Sequence, residues 1–103
     1  MADPLEPSAH EPMARLNIEV RGRVQGVGFR FFVQSQAQRF DLTGWVRNQW
    51  DGGLEIEAEG SRRDLLRFLE AIRRGPGTAH VENVDPVWGP YTGQHERFEV
   101  KFW

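Results

Sequence analysis

Arg30 and Asn48 stand eighteen positions apart, each inside a short motif whose residue types suit anion chemistry. The first motif is Gly22-Arg23-Val24-Gln25-Gly26-Val27-Gly28-Phe29-Arg30. It lies between an alternating apolar run, Leu16-Asn17-Ile18-Glu19-Val20, and a segment with helical apolar spacing that starts at Phe29. A glycine-rich turn from a strand into a helix N-terminus gathers backbone N–H groups at the positive end of the helix dipole, where an anion is the natural ligand. Arg30, in the first turn, adds a planar fork of donors that matches phosphate oxygens. The candidate phosphate cradle is therefore Gln25, Gly26, Val27, Gly28, Phe29 and Arg30. Glycines also make plain tight turns, because they adopt φ > 0 freely. The loop by itself admits both readings.

Familiar phosphate motifs do not match. A Walker A loop needs Lys-Ser or Lys-Thr after its last glycine, where this chain has Phe29. The dinucleotide fingerprint needs a third glycine where Phe31 stands. A cysteine-nucleophile phosphatase loop is excluded, since the chain has no cysteine.

The second motif, Gly44-Trp45-Val46-Arg47-Asn48, sits in a strand-like run. Trp45 is expected to be a core aromatic, the common role of a strand tryptophan. Asn48 is disfavoured within a sheet unless its amide finds a partner. Alone it serves equally as a hairpin-end residue, whereas beside an anion-binding loop a functional role is favoured. Together the two motifs resemble the acylphosphatase family, and the likeness runs from about Arg15 to Trp103. The resemblance implies a metal-free hydrolase without cofactor that cleaves the carboxyl–phosphate anhydride of small acyl phosphates. It places the family's phosphate loop and catalytic arginine on Gln25 to Arg30, and its catalytic asparagine on Asn48.

Such a reaction needs little machinery. The leaving carboxylate has a pKa of about 4 and departs without a proton, so no general acid is required. What remains is to hold a dianionic phosphoryl group and to orient one water in line with the breaking bond. Backbone amides of the loop and the Arg30 guanidinium suit the first task. The Asn48 amide oxygen suits the second, and a carboxylate in its place would repel the phosphate. With no histidine in either motif, a phosphate oxygen of the substrate is the expected proton acceptor.

The elements that must position these groups follow from periodicity. The expected order is strand, helix, strand, strand, helix, strand, with a further strand in the last connection. Strand one covers about residues 15–21 and helix one about 29–40, burying Phe29, Phe32, Val33, Ala37 and Phe40. Strand two, about 43–49, turns through Asp51-Gly52-Gly53 into strand three at 54–59. There Leu54, Ile56 and Ala58 alternate with Glu55, Glu57 and Glu59, which are expected to form a solvated face. Ser61 and Asp64 predict a capping box for helix two, whose stripe is Leu65, Phe68, Leu69 and Ile72 and which ends at Gly75-Pro76-Gly77. Final strands are expected near 79–87 and 97–103. This order predicts an α+β ferredoxin-like sandwich, an antiparallel sheet of four to five strands with two helices on one face. Asp41 stands where the family commonly has glycine after helix one, which predicts a positive φ there.

Composition sets the remaining bounds. The chain has 103 residues, 39% hydrophobic and 27% charged, a globular balance that suits one core. Residues 1–14 carry Pro4, Pro7 and Pro12 and are expected to be an unstructured tail ahead of a domain spanning 15–103. A formal charge of −2 gives no basic footprint for nucleic acid, and no apolar run reaches membrane-span length. The expectation is a cytoplasmic monomer with no nucleic-acid or membrane partner. His10, His80 and His95 lack ligand spacing and are expected on the solvated surface, with no metal site. Trp50, Trp88 and Trp103 are expected to be structural, and Arg23 and Arg47 to raise the positive potential around the motifs. Two rival classes share this fold. An RNA-binding domain would need aromatic motifs on its central strands, where this chain has glutamates. A carbamoyl-phosphate module like those at the start of hydrogenase maturation proteins is the second, and the length of the chain sets the expectation against it.

Overall fold

The computed structural model describes residues 11–26 and 28–102. The expected tail over residues 1–10, together with Val27, His10 and Trp103, lies outside the described residues. The elements run β1 (Met13–Arg23), α1 (Phe29–Arg39), β2 (Thr43–Asn48), β3 (Leu54–Ser61), α2 (Arg62–Arg74), β4 (His80–Pro90) and β5 (Phe98–Lys101). β1 begins at Met13, two residues before the expected boundary, because Met13 and Ala14 pair with Ser61 and Gly60 of β3. Pro12 is also ordered, its carbonyl accepting a hydrogen bond from the Arg62 N–H.

The five strands form one sheet in the order β4-β1-β3-β2-β5. Period-two alternation lines up Leu16 with Ala58, Ile18 with Ile56 and Val20 with Leu54 on one face. That face packs against Phe29, Val33 and Ala37 of α1 and Leu65, Phe68, Leu69 and Ile72 of α2 as a single core. Phe32 and Phe40 are partly buried at its margin. Each helix ends as its sequence dictates. The Ser61 hydroxyl accepts from the Asp64 N–H at the start of α2, while Asp41 takes φ 55° after α1. The Asp41 and Leu42 N–H groups then return to the carbonyls of Gln38 and Ala37, the paired bonds of a Schellman end.

Several expectations change. The sheet is mixed rather than antiparallel, because β5 runs parallel to β2. β4 and β5 occupy opposite edges, so the connecting segment 91–97 has to cross the face that the helices leave open. Glu57 and Glu59 are therefore its anchors, while Glu55 is held by Arg47 and Asn17, so the three do not form a free solvated face. Glu59 is 1% exposed and accepts hydrogen bonds from the Thr92 N–H, the Thr92 hydroxyl and the Gly93 N–H. Glu57 pairs with His95 at 2.8 Å and Arg15 at 3.4 Å, which removes His95 from the free surface. Burial pushes the Glu59 carboxyl up, but the Thr92 and Gly93 hydrogen bonds and nearby His95 outweigh it and hold the group below its ordinary range. Trp45 also departs from expectation. It is half-buried on the open face between Arg47 and Lys101 instead of within the core.

Candidate active site

Because β1, β2 and β5 run the same way, their C-terminal ends meet at one end of the sheet. The glycine-rich loop leaves β1 there, Asn48 closes β2 and Phe102 follows β5. Gly26 and Gly28 take φ 74° and 77°, a left-handed conformation that bends the chain into α1, and a Cβ on either would meet nothing within 4 Å. Gly28 caps α1 with no side-chain hydrogen bond and no acidic residue follows in the first turn. The leading N–H groups of that helix lack intrahelical partners by geometry. α2, in contrast, caps itself with Ser61 and carries Asp64 in its first turn.

Val24, Gly26, Gly28, Phe29, Arg30, Phe31 and Asn48 line one cleft of about 80 Å³. A water needs roughly 10–15 Å³ on this scale, so the cleft has room for a tetrahedral oxyanion with a water beside it. Of the residues read from the two motifs, the structure brings together Gly26, Gly28, Phe29, Arg30 and Asn48. Gln25 lies alongside with its side chain turned to the hairpin, donating to the carbonyls of Gln49 at 2.6 Å and Gly53 at 2.8 Å.

Arg30 is held from behind. Its Nη1 donates to the Lys101 carbonyl at 3.0 Å, and its guanidinium lies 4.6 Å from the Phe102 ring centroid. These contacts fix the orientation of the fork, leaving further N–H donors for the cleft. The Asn48 carboxamide oxygen has no such fixed partner among the described residues. This atom, Oδ1, is screened from bulk solvent and accepts no hydrogen bond among them. A buried acceptor without a donor is uncommon and marks a place for water or ligand.

The β2–β3 turn opens a second, wider cleft of about 290 Å³, lined by Arg47, Asn48, Gln49, Trp50 and Asp51. Trp50 is fully exposed at its edge, not structural as its residue type suggested, because it occupies the apex of the turn. Arg47 is bound by Glu55 through two contacts at 2.7 and 3.0 Å, which offset part of its charge locally. Asp51 is gripped by Arg21 at 2.6 Å and by the Gly53 N–H, which hold its carboxyl below the ordinary range. Among the described residues no three His, Asp or Glu side chains are grouped to hold a metal ion, and no helix is long and apolar enough to cross a membrane.

The chain that carries this cleft is similar over most of its length to known proteins. The acylphosphatase family model matches residues 16–100. This chain belongs to the acylphosphatase family. The acylphosphatase of Salinibacter ruber is 47% identical over 87 residues, which are 84% of this chain and 92% of that protein. The crystal structure of acylphosphatase from Bacillus subtilis superposes with a TM-score of 0.83 at 41% identity, covering 85% of this chain and 98% of that one. Full-length HypF in its phosphate- and nucleotide-bound form contains a similar unit, with a TM-score of 0.78 and 29% identity over 88% of this chain but 12% of HypF. Across the family match, the sequence motifs had indicated the cleft but not the carbonyl of Lys101 or the ring of Phe102 behind Arg30. The aromatic ending Phe102-Trp103 was visible, yet nothing local tied Phe102 to Arg30, seventy-two positions earlier.

Proposed function

We propose that this acylphosphatase-family protein hydrolyses small acyl phosphates to a carboxylate and inorganic phosphate, with Arg30 and Asn48 as its catalytic residues. The observation that carries this reading is the shared cleft, in which Asn48 Oδ1, without a hydrogen-bond donor among the described residues, stands beside the glycine loop and Arg30. The loop amides, through Gly26, Val27, Gly28 and Phe29, and the Arg30 fork take the equatorial phosphoryl oxygens. They stabilise charge where it develops, without reorganising during the step. A water donates one hydrogen to Asn48 Oδ1, which leaves an oxygen lone pair free for in-line attack on phosphorus. The P–O bond to the acyl group breaks, the carboxylate departs as the anion, and the water's proton passes to a phosphate oxygen. No step calls on a metal or cofactor.

The test is the hydrolysis of benzoyl phosphate by the wild type and Asn48→Ala, with and without chelator. The reading expects full wild-type activity under chelation and a loss of about 10²-fold in Asn48→Ala, the size of a misplaced attacking group. Wild-type turnover that vanishes with chelator, or a folded Asn48→Ala protein of normal activity, refutes it. Carbamoyl phosphate, the substrate of the rival reading, is the discriminating second substrate. The protein is proposed to act as a cytoplasmic monomer, which sedimentation and cell fractionation test.

A further inference from the structure

The phosphate loop and the hairpin that carries Asn48 leave the sheet by separate routes. The β1–β3 ladder ends at Val20 opposite Leu54, and beyond it no main-chain hydrogen bond joins loop to hairpin among the described residues. Among the described residues two side-chain links span the gap. One is the Arg21–Asp51 pair, both of whose side chains are more than a third exposed, where solvent weakens an ion pair. The other is Gln25. Its Nε2 uses both hydrogens, one to the Gln49 carbonyl at 2.6 Å and one to the Gly53 carbonyl at 2.8 Å. The amide cannot be reversed, since its oxygen would then face two carbonyl oxygens.

Neither carbonyl needs Gln25 for its own satisfaction. Gln49 O already accepts from the Gly52 N–H at 3.1 Å, and Gly53 O from the Gln49 N–H at 2.8 Å. The hairpin closes by itself, so the added pair of bonds joins it to the loop. The approach is close enough that a Cβ on Gly53 would lie 2.8 Å from Arg21 Nη1 and 2.9 Å from Val20 O.

We infer that Gln25 is a positioning residue whose side chain sets the spacing between Asn48 and the phosphate cradle. This inference rests on the acylphosphatase reading above and assigns the Gln25 carboxamide a task separate from the main-chain grip on phosphate. Gln25→Met keeps the volume and removes both donors. The experiment measures kcat, KM and inhibition by inorganic phosphate for benzoyl phosphate hydrolysis, with Gln25→Met introduced into the wild type and into Asn48→Ala. In the wild type we expect kcat to fall about 10- to 100-fold, the size of a misplaced reacting group, with phosphate inhibition nearly unchanged. In Asn48→Ala the same substitution changes kcat less than about threefold, because the group it positions is gone. Equal losses in both backgrounds, or a loss carried by KM and phosphate inhibition, overturn the inference. If Gln25→Met fails to fold, Gln25→Asn, one methylene too short to reach both carbonyls, enters the same cycle. A wild type without turnover would sink the acylphosphatase reading alone. The clamp is then judged by the Asn48 side-chain NMR signal, expected to shift with inorganic phosphate in the wild type and to lose that response in Gln25→Met. An unchanged response overturns the clamp.

Discussion

Replacing Arg30 with glutamine should remove activity while leaving the fold. Arg30 is a half-buried residue in the first turn of α1, held by the Lys101 carbonyl at 3.0 Å and by Phe102 at 4.6 Å. The guanidinium is thus oriented before any substrate arrives. A single preorganised donor at a developing charge is worth about 10²–10³ in rate. Arg30 supplies both a fork and a full charge, so the upper end applies, about 10³ or roughly 4 kcal/mol at 1.36 kcal/mol per decade. The structural loss is smaller. One charged hydrogen bond to a carbonyl contributes about 1.5–3 kcal/mol and an exposed cation–π contact about 0.5–1 kcal/mol. Their sum is below the 5–15 kcal/mol typical of a folded domain, so Arg30→Gln stays folded with a lower melting temperature. Initial rates of benzoyl phosphate hydrolysis, read beside circular dichroism and a thermal melt, measure both effects. Arg30→Lys, with the charge but without the fork, should recover part of the rate. A folded Arg30→Gln protein turning over within about tenfold of the wild type would refute the placement of Arg30 at the reacting phosphoryl group, since the effect demanded of it is about 10³.

Two further predictions concern the scaffold. Asp41 holds φ 55° at the end of α1, so Asp41→Gly relieves a left-handed aspartate and should stabilise by about 0.5–1 kcal/mol, a rise of roughly 2–6 °C in a thermal melt. No rise, or a fall, would show that the aspartate is not strained. Glu59 has a folded pKa below its unfolded value, so its contribution is present at neutral pH and is lost as pH falls through the acid range. Denaturant melts should show stability dropping below about pH 4.5 in the wild type. Glu59→Gln should show a flatter acid limb and a loss of about 1–3 kcal/mol at pH 7, and an unaltered acid limb would count against the anchoring role of Glu59.

The local elements were legible because each follows from short-range rules. The stripe Leu65, Phe68, Leu69 and Ile72, the Ser61 cap and the left-handed Asp41 all appear where periodicity and capping chemistry put them. The two motifs were legible for the same reason, since glycines before a basic first turn carry their chemistry within nine residues. What failed were readings of surface and core that depended on distant chain. The glutamates of β3 alternate as a wet face would, yet segment 91–97 covers Glu57 and Glu59. Trp45 and Trp50 have core-forming side chains, yet one lies on the open face and the other at the apex of a turn. Residue type and spacing cannot register a cover supplied by residues thirty or more positions away.

By itself, then, the sequence determined the strands and helices, the helix ends, the anion-suited loop and the arginine and asparagine that accompany it. Only the tertiary structure decided that β1, β2 and β5 end together, so that Asn48 shares a cleft with Gly28 and Arg30, and that Lys101 and Phe102 stand behind the guanidinium. Backbone dihedrals and side-chain periodicity act over a few residues and are written into neighbouring letters. Strand order and register arise from the burial of one common core, a property of the whole chain that no local pattern contains.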